Sequence, residues 1–193
     1  MMLALSLTAC RPLFTRWTGY GWDLALLAVC LPILQQDGLW ARLDVHGAWL
    51  PGYLVAAVLL FLVSVLLTAA QPRQYLRRVV LAWRTAPARR QLSWGMLAAA
   101  TAVYEELIWR VVVQSLLLLV LPAFAAVVLT SMLFTLWHRR RTGNSIWLVA
   151  ELFAFSMVAG GLMIATNDPL SAVMAHLVRN HLVYMASSPD GRT

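Results

Sequence analysis

The chain has 193 residues, of which 61% are hydrophobic and only 12% are charged, and its formal net charge is +7. An ordinary soluble domain carries about 25% charged residues, so this composition excludes that class and indicates a polytopic membrane protein. The basic residues are all arginine and cluster beside apolar runs, which is typical of residues that set orientation in a bilayer rather than of a nucleic-acid-binding surface.

The N-terminal ten residues and the cysteines carry little functional information. "MMLALSLTAC" ends in a pattern similar to the one before a lipidated cysteine, but it contains no arginine or lysine, so we do not expect lipidation. Cys10 and Cys30 are too few for a disulfide framework or a thiolate metal site.

Apolar runs follow one another along the rest of the chain. Since about 20 helical residues cross a bilayer core of about 30 Å, the runs predict six transmembrane helices. The predicted spans are residues 22–34, 48–70, 94–121, 123–137, 145–166 and 170–187. We therefore expect an all-α, polytopic membrane helical bundle that encloses a polar intramembrane cavity. No repeat or linker divides it, so residues 1–193 are predicted to form one integral membrane domain.

The positions of the arginines predict the orientation of the bundle. Six spans put both termini on one side, and placing that side in the cytoplasm leaves Arg42 as the only basic residue in an outside loop. We expect a multi-pass protein of the bacterial inner membrane. Residues 71–91 carry six arginines among valine, leucine, tyrosine and tryptophan, which fits either an amphipathic segment on anionic lipid or a solvated basic loop.

Ionisable residues lie inside the predicted spans, where each costs at least about 2.5–3.5 kcal/mol on insertion scales. They include all three glutamates of the chain and are Glu105, Glu106, Arg110, Glu151, His176, Arg179 and His181, with the polar Asn180 beside them. Several such residues in one membrane domain are expected to face one another or a water-filled cavity.

The stretch "YEELIWR" contains two of these acids and one base. Residues four apart on an α-helix share a face, so Glu106 is predicted to pair with Arg110. Glu105 points about 100° away and has no charge partner in its own helix, which suits it to take a proton from water. Spacing alone is compatible with either a structural ion pair between helices or a catalytic site.

Later spans supply further polar side chains at the same spacing. Phe134 and His138 are four residues apart, and so are His176 and Asn180. An acid and a histidine can hold a water molecule, while a second histidine and a carboxamide can donate hydrogen bonds to an oxyanion. This set meets the needs of peptide-bond hydrolysis by an activated water.

The order Glu-Glu-x-x-x-Arg, Phe-x-x-x-His, His-x-x-x-Asn on successive apolar segments resembles the CPBP family of intramembrane endopeptidases, the CAAX protease and bacteriocin-processing family. The resemblance covers about residues 101–184, the family-like catalytic core. The matching positions are Glu105, Glu106, Arg110, Phe134, His138, His176 and Asn180. Trp109 and Val111 depart from the phenylalanine and glycine that the family often has around the motif arginine.

The resemblance implies a role for each matching residue. Glu105 would activate water with the help of His138, and His176 with Asn180 would stabilise the oxyanion. Glu106, Arg110 and Phe134 would support the site. The implied substrate is a membrane-anchored or hydrophobic protein or peptide, cut near its C-terminus. The implied mechanism is of the glutamic type and needs no cofactor, and zinc is disfavoured because the chain has no His-Glu-x-x-His.

The predicted depths of the motif residues disagree. At about 1.5 Å per residue, Glu105, His176 and His138 would differ in depth by roughly 12 Å on straight, full-length spans. We therefore expect either that the fourth helix runs past Trp137 or that the fifth and sixth helices are broken or tilted.

Two other function classes fit the composition. One is a non-catalytic membrane immunity or assembly scaffold that uses the polar cluster to hold helices together. The other is proton-coupled transport through the same acids and histidines, although six spans without an internal repeat favour it less.

Overall fold

In a computed structural model, the described part of the chain comprises residues 50–69, 71–138 and 145–187, with Ala28 and Pro32. It contains helices and no strand, which confirms the all-α prediction for these residues. The helices are α1 (Leu50–Thr68), α2 (Pro72–Thr85), α3 (Ala88–Glu106), a π-helical segment (Leu107–Gln114), α4 (Ser115–Leu118), α5 (Ala123–Trp137), α6 (Ile146–Thr166) and α7 (Pro169–Ala186). Several features of the sequence lie outside this description, apart from the two isolated positions. They are the predicted first span, the N-terminal cysteines, Arg42 and the arginines at 139–141.

One described helix is long and apolar enough to cross a membrane by length and composition. It is Ile146–Thr166, with 21 residues and a mean hydropathy of 2.0. Two shorter apolar helices, Pro51–Leu66 and Ala123–Trp137, fall below that length. The prediction of six spans therefore stays a prediction, and the helical part of it is confirmed.

The chain divides into two compact units. Of the described residues, the first unit contains 107–138 and 145–169 and the second contains 50–69, 71–106 and 170–187. The prediction of one membrane domain is not tested by this division.

In the first unit, aromatic side chains pack the π-helical segment and α5 against each other. Trp109 contacts Phe134 and Trp137 edge to face, with ring centroids 5.8 and 5.5 Å apart. Phe134 also contacts Phe155 of α6 at 6.5 Å. Such pairs are worth about 0.5–1.5 kcal/mol beyond the area they bury, so these rings define how the helices pack.

Helix α6 has a defined signal at each end. The Ser145 hydroxyl accepts a hydrogen bond from the Leu148 amide at 3.4 Å, which caps the first turn. Asn167 follows the last turn with a φ of 51°, a left-handed conformation that asparagine tolerates better than most residues. Both signals lie next to the predicted limits of the fifth span.

In the second unit, α1, α2 and α7 share a hydrophobic core. Phe61 and Val65 of α1 pack with Val79 of α2 and Met185 of α7, and Ala82 and Ala186 complete the cluster. The arginines of α2 lie on its exposed side. Residues 72–85 therefore form an amphipathic helix and not a loop, and its predicted contact with anionic lipid stays a prediction.

Candidate active site

Two acids and a histidine meet inside the second unit. Glu105 and Glu106 are the last two residues of α3, and His176 lies in the middle of α7. All three side chains are buried, with exposed fractions of 5%, 0% and 3%. Since burying an ionisable group is costly unless it has polar partners, their mutual contact explains how α3 and α7 accommodate them.

The imidazole of His176 contacts both carboxylates through different nitrogens. Its Nδ1 lies 2.6 Å from Glu106 Oε1, and its Nε2 lies 3.6 Å from Glu105 Oε2. Consecutive helical residues point about 100° apart, yet one ring reaches both because its nitrogens lie on different edges. A carboxylate can only accept, so Nδ1–H donates to Glu106 and Nε2 is directed toward Glu105.

Asn180 lies one helical turn after His176 on α7 and is only partly buried. Its Oδ1 accepts a hydrogen bond from the guanidinium of Arg179 at 3.5 Å. A carboxamide whose oxygen binds a cation has its NH₂ group available for a different acceptor, as an oxyanion donor requires. This geometry is consistent with the predicted role without testing it.

The remaining motif residues lie in the first unit, where Arg110 is fully buried. Its guanidinium donates to the Ser156 hydroxyl of α6 at 2.9 Å and lies over the Phe134 ring, 5.5 Å from the centroid. These contacts fix the planar guanidinium against both α5 and α6. Phe134 thus has a structural role that its motif position alone does not reveal.

His138 directly follows α5 and is also buried. Its Nδ1 lies 2.9 Å from the Phe134 carbonyl oxygen, and its ring lies 4.4 Å from the Phe134 ring. A ring whose Nδ1–H donates to a carbonyl carries a lone pair on Nε2, so Nε2 is the nitrogen that can accept from a water molecule.

A π-helix follows the two acids directly, which the sequence did not predict. It spans Leu107–Gln114, and the Ser115 hydroxyl donates to the Arg110 carbonyl five residues earlier at 3.3 Å. Stretches of π-helix are rare and occur often at functional sites. The predicted pairing of Glu106 with Arg110 assumed α-helical spacing through this segment and stays a prediction.

The described helices answer part of the depth disagreement. Helix α5 ends at Trp137, so it does not run further, and α6 and α7 are continuous from Ile146 to Thr166 and from Pro169 to Ala186. A longer fourth helix and a break in the fifth or sixth helix are therefore wrong, whereas a tilt of those two helices stays a prediction. An irregular stretch does occur in the π-helical segment, inside the predicted third span.

Three residues hold the π-helical segment against α6, and sequence reasoning missed two of them, Gln114 and Ser156. Besides Ser156, the Gln114 carboxamide donates to the Gly160 carbonyl at 3.0 Å. A Cβ on Gly160 would lie 2.6 Å from Gln114 Oε1, so a larger residue there would require the Gln114 side chain to move. Gln114 is a polar residue inside the predicted third span and could have been noticed, whereas nothing in the sequence marks Ser156.

Metal binding is not indicated by the described residues. No group of three or more histidine, cysteine, aspartate or glutamate side chains in that part of the chain has an arrangement suited to a metal ion. The expectation of metal-independent chemistry is not tested by this observation and stays a prediction.

Comparison with known proteins identifies the family. The family model described as type II CAAX prenyl endopeptidase, Rce1-like, matches residues 87–182, about half of the chain and all the motif positions. No curated protein and no solved structure matched in the corresponding comparisons. The helical fold and this match define the class, which is that of membrane-embedded proteases. The chain belongs to the CAAX protease family, as its motifs indicated.

Proposed function

We propose that the protein is an intramembrane endopeptidase of the glutamic type, which cuts a membrane-anchored or hydrophobic substrate near its C-terminus without a metal. The observation that carries this proposal is the buried contact of His176 with both Glu105 and Glu106. Family membership supports endopeptidase activity in general, and the site chemistry supports the finer mechanism.

In the proposed reaction, Glu105 takes a proton from a water molecule as the water oxygen attacks the substrate carbonyl carbon. The carbonyl oxygen becomes an oxyanion, and the proton then passes to the leaving amine as the C–N bond breaks. His176 has Nδ1 bound to Glu106, so a protonated His176 presents Nε2–H close to Glu105 and to the attacked carbonyl.

His138 and Asn180 complete the proposal. His138 would hold the attacking water through Nε2, since its Nδ1 binds the Phe134 carbonyl. Asn180 would donate its amide N–H to the oxyanion beside His176. Removal of one such donor typically costs about 10²–10³-fold in rate, so each makes a measurable contribution.

The experiment uses the full-length protein in lipid nanodiscs and a peptide that ends in a CAAX sequence, with and without a farnesyl group. Mass spectrometry of the products identifies the cleaved bond. We expect cleavage by the wild type, a loss of about 10²-fold or more in Glu105→Gln, and activity near wild type in Glu151→Gln. Glu151 is a matched control because it is also a buried glutamate but lies outside the motifs.

Three results would count against parts of the proposal. Equal cleavage by wild type and Glu105→Gln contradicts the glutamate mechanism. Loss of activity with a chelator and its return with zinc contradicts metal independence. The non-catalytic scaffold is favoured if folded wild-type protein cleaves neither peptide and also leaves the C-terminal tails of co-expressed membrane proteins intact.

The proposed location is the bacterial inner membrane, with both termini in the cytoplasm. The arginine distribution supports this orientation, since only Arg42 would then lie in an outside loop. Reporter fusions at the C-terminus test it. A reporter that is active only outside the cytoplasm should be inactive when it is fused to the C-terminus. Activity of this fusion would contradict the orientation.

A further inference from the structure

A small pocket lies at the junction between α1 and α2 in the second unit. Its volume is about 270 Å³, and it is lined by Ala69, Gln71, Gln74, Tyr75 and Arg78. Pockets for drug-sized ligands usually measure about 300–1,000 Å³, so this one suits a compact group. None of the site residues described above lines it.

The lining side chains are suited to an anion. Arg78 has a permanent positive charge and a planar set of N–H donors, and the two glutamines add carboxamide donors. Gln71 precedes the first turn of α2 without capping it through its side chain. No aspartate or glutamate occurs between Asp44 and Glu105, so no acid close in sequence competes for Arg78.

The location of the pocket matches a membrane surface. It follows the apolar helix α1, and α2 carries exposed Val80 and Trp83, with exposed fractions of 50% and 59%. Six exposed arginines accompany them on α2 and the first turn of α3: Arg73, Arg77, Arg78, Arg84, Arg89 and Arg90. Exposed tryptophan beside arginine is the composition of a helix that lies in the lipid headgroup layer.

The opposite side of α2 packs against α1 and so holds the helix that frames the pocket. Val79 and Ala82 are buried against Phe61 and Val65 of α1, and Tyr75 contacts Phe61 with ring centroids 6.2 Å apart. Helix α2 is therefore held to α1 by its apolar face while its polar side chains face outward.

We infer that this pocket binds the phosphate of an anionic phospholipid headgroup, with Arg78 as the charged partner and Gln71 and Gln74 as hydrogen-bond donors. An acidic protein segment fits less well, because an extended peptide needs a longer groove than one compact pocket. The inference concerns lipid binding and does not depend on the proposed proteolysis.

The test is native mass spectrometry of the full-length, detergent-purified protein with dioleoylphosphatidylglycerol or dioleoylphosphatidylcholine, in the absence of any substrate. Arg78→Gln is compared with Arg77→Gln. Both remove one charge from an exposed arginine of α2, but only Arg78 lines the pocket. We expect phosphatidylglycerol affinity to fall about tenfold in Arg78→Gln and less than about threefold in Arg77→Gln. Gln74→Leu should give a smaller loss of the same kind.

Several outcomes overturn the inference. Equal losses in both arginine variants would mean diffuse attraction by the basic surface. Equal affinity for the two lipids would contradict selection of an anionic headgroup, and displacement of phosphatidylglycerol by millimolar inorganic phosphate would assign the pocket to free phosphate instead of a lipid. Arg78-dependent binding of an acidic peptide, with phosphatidylglycerol binding unchanged, would assign the pocket to a protein partner. None of these measurements involves cleavage, so failure here is distinct from failure of the proposed function.

Discussion

The Nδ1–H of His176 donates a hydrogen bond to Glu106 Oε1 over 2.6 Å, with both side chains buried. Seventy residues separate the two partners along the chain. The bond therefore joins α3 to α7 and also fixes which nitrogen of His176 is directed toward Glu105. Structure and proposed chemistry depend on the same contact.

Replacing Glu106 tests the structural half of this relationship. Glu106→Gln keeps an acceptor but removes the charge, so the hydrogen bond weakens and the free energy of unfolding should fall by about 1 kcal/mol. Glu106→Leu leaves a buried imidazole N–H without its acceptor and should cost about 1–3 kcal/mol. Thermal unfolding in detergent measures both. If Glu106→Leu is as stable as the wild type, the bond does not hold α3 to α7.

Replacing His176 by asparagine distinguishes the roles of its two ring nitrogens. Asparagine places an amide N–H near the position of Nδ1 but nothing near Nε2. His176→Asn should therefore remain within about 1 kcal/mol of wild-type stability and lose about 10²-fold or more in cleavage rate. The cleavage rate and the free energy of unfolding are both measured on the same sample. Wild-type cleavage in this variant would show that Nε2 is not used.

Gly160 and Gly161 form a matched pair for testing how the π-helical segment packs on α6. A Cβ on Gly160 would meet Gln114 Oε1 at 2.6 Å and Val127 Cγ1 at 3.1 Å, whereas a Cβ on Gly161 meets nothing within 4 Å. Gly160→Ala should destabilise the protein by about 1–3 kcal/mol. Gly161→Ala should be neutral or stabilise it by up to about 1 kcal/mol.

A double variant checks the cause of the Gly160 effect. If contact with Gln114 is responsible, adding Gln114→Ala to Gly160→Ala should recover part of the loss, as an interaction energy between neighbours. Additive losses would contradict this explanation. Unfolding midpoints of the single and double variants give the answer.

Ser156 is expected to stabilise the buried Arg110. Ser156→Ala removes the acceptor at 2.9 Å, and hydrogen bonds to charged groups contribute about 1.5–3 kcal/mol. Ser115→Ala is the control because its hydroxyl makes a longer bond, 3.3 Å, to the Arg110 carbonyl, and should cost about 0.5–1.5 kcal/mol. Equal effects of the two variants on unfolding would contradict a special role for Ser156.

Helix limits were predictable where the sequence carries a local signal. Pro122 precedes α5, Ser145 caps α6 and Asn167 ends it, and the predicted spans 123–137 and 145–166 agree closely with these helices. The composition of residues 71–91 fitted either an amphipathic segment or a solvated loop, and residues 72–85 form a helix with one buried side. Such features depend on neighbouring residues alone, which the sequence displays directly.

For the site, the sequence predicted which polar residues lie in the spans but not which of them contact one another. Spacing marked Glu105, Glu106 and His176 as polar residues of the predicted spans, but their rotamers depend on how α3 and α7 pack. The two contacts of one imidazole were therefore not foreseen. Nor was the π-helical segment, because "LIWRVVVQ" carries no local signal that separates π from α geometry.

The most direct test of the central claim is the single-turnover cleavage rate of Glu105→Gln at saturating substrate, with substrate binding measured separately. Glutamine keeps the size and one hydrogen-bonding oxygen of the side chain but cannot take a proton from water. We expect a dissociation constant within about threefold of wild type and a cleavage rate lower by about 10²-fold or more. A variant that binds and cleaves at the wild-type rate would contradict the assignment of Glu105 as the base.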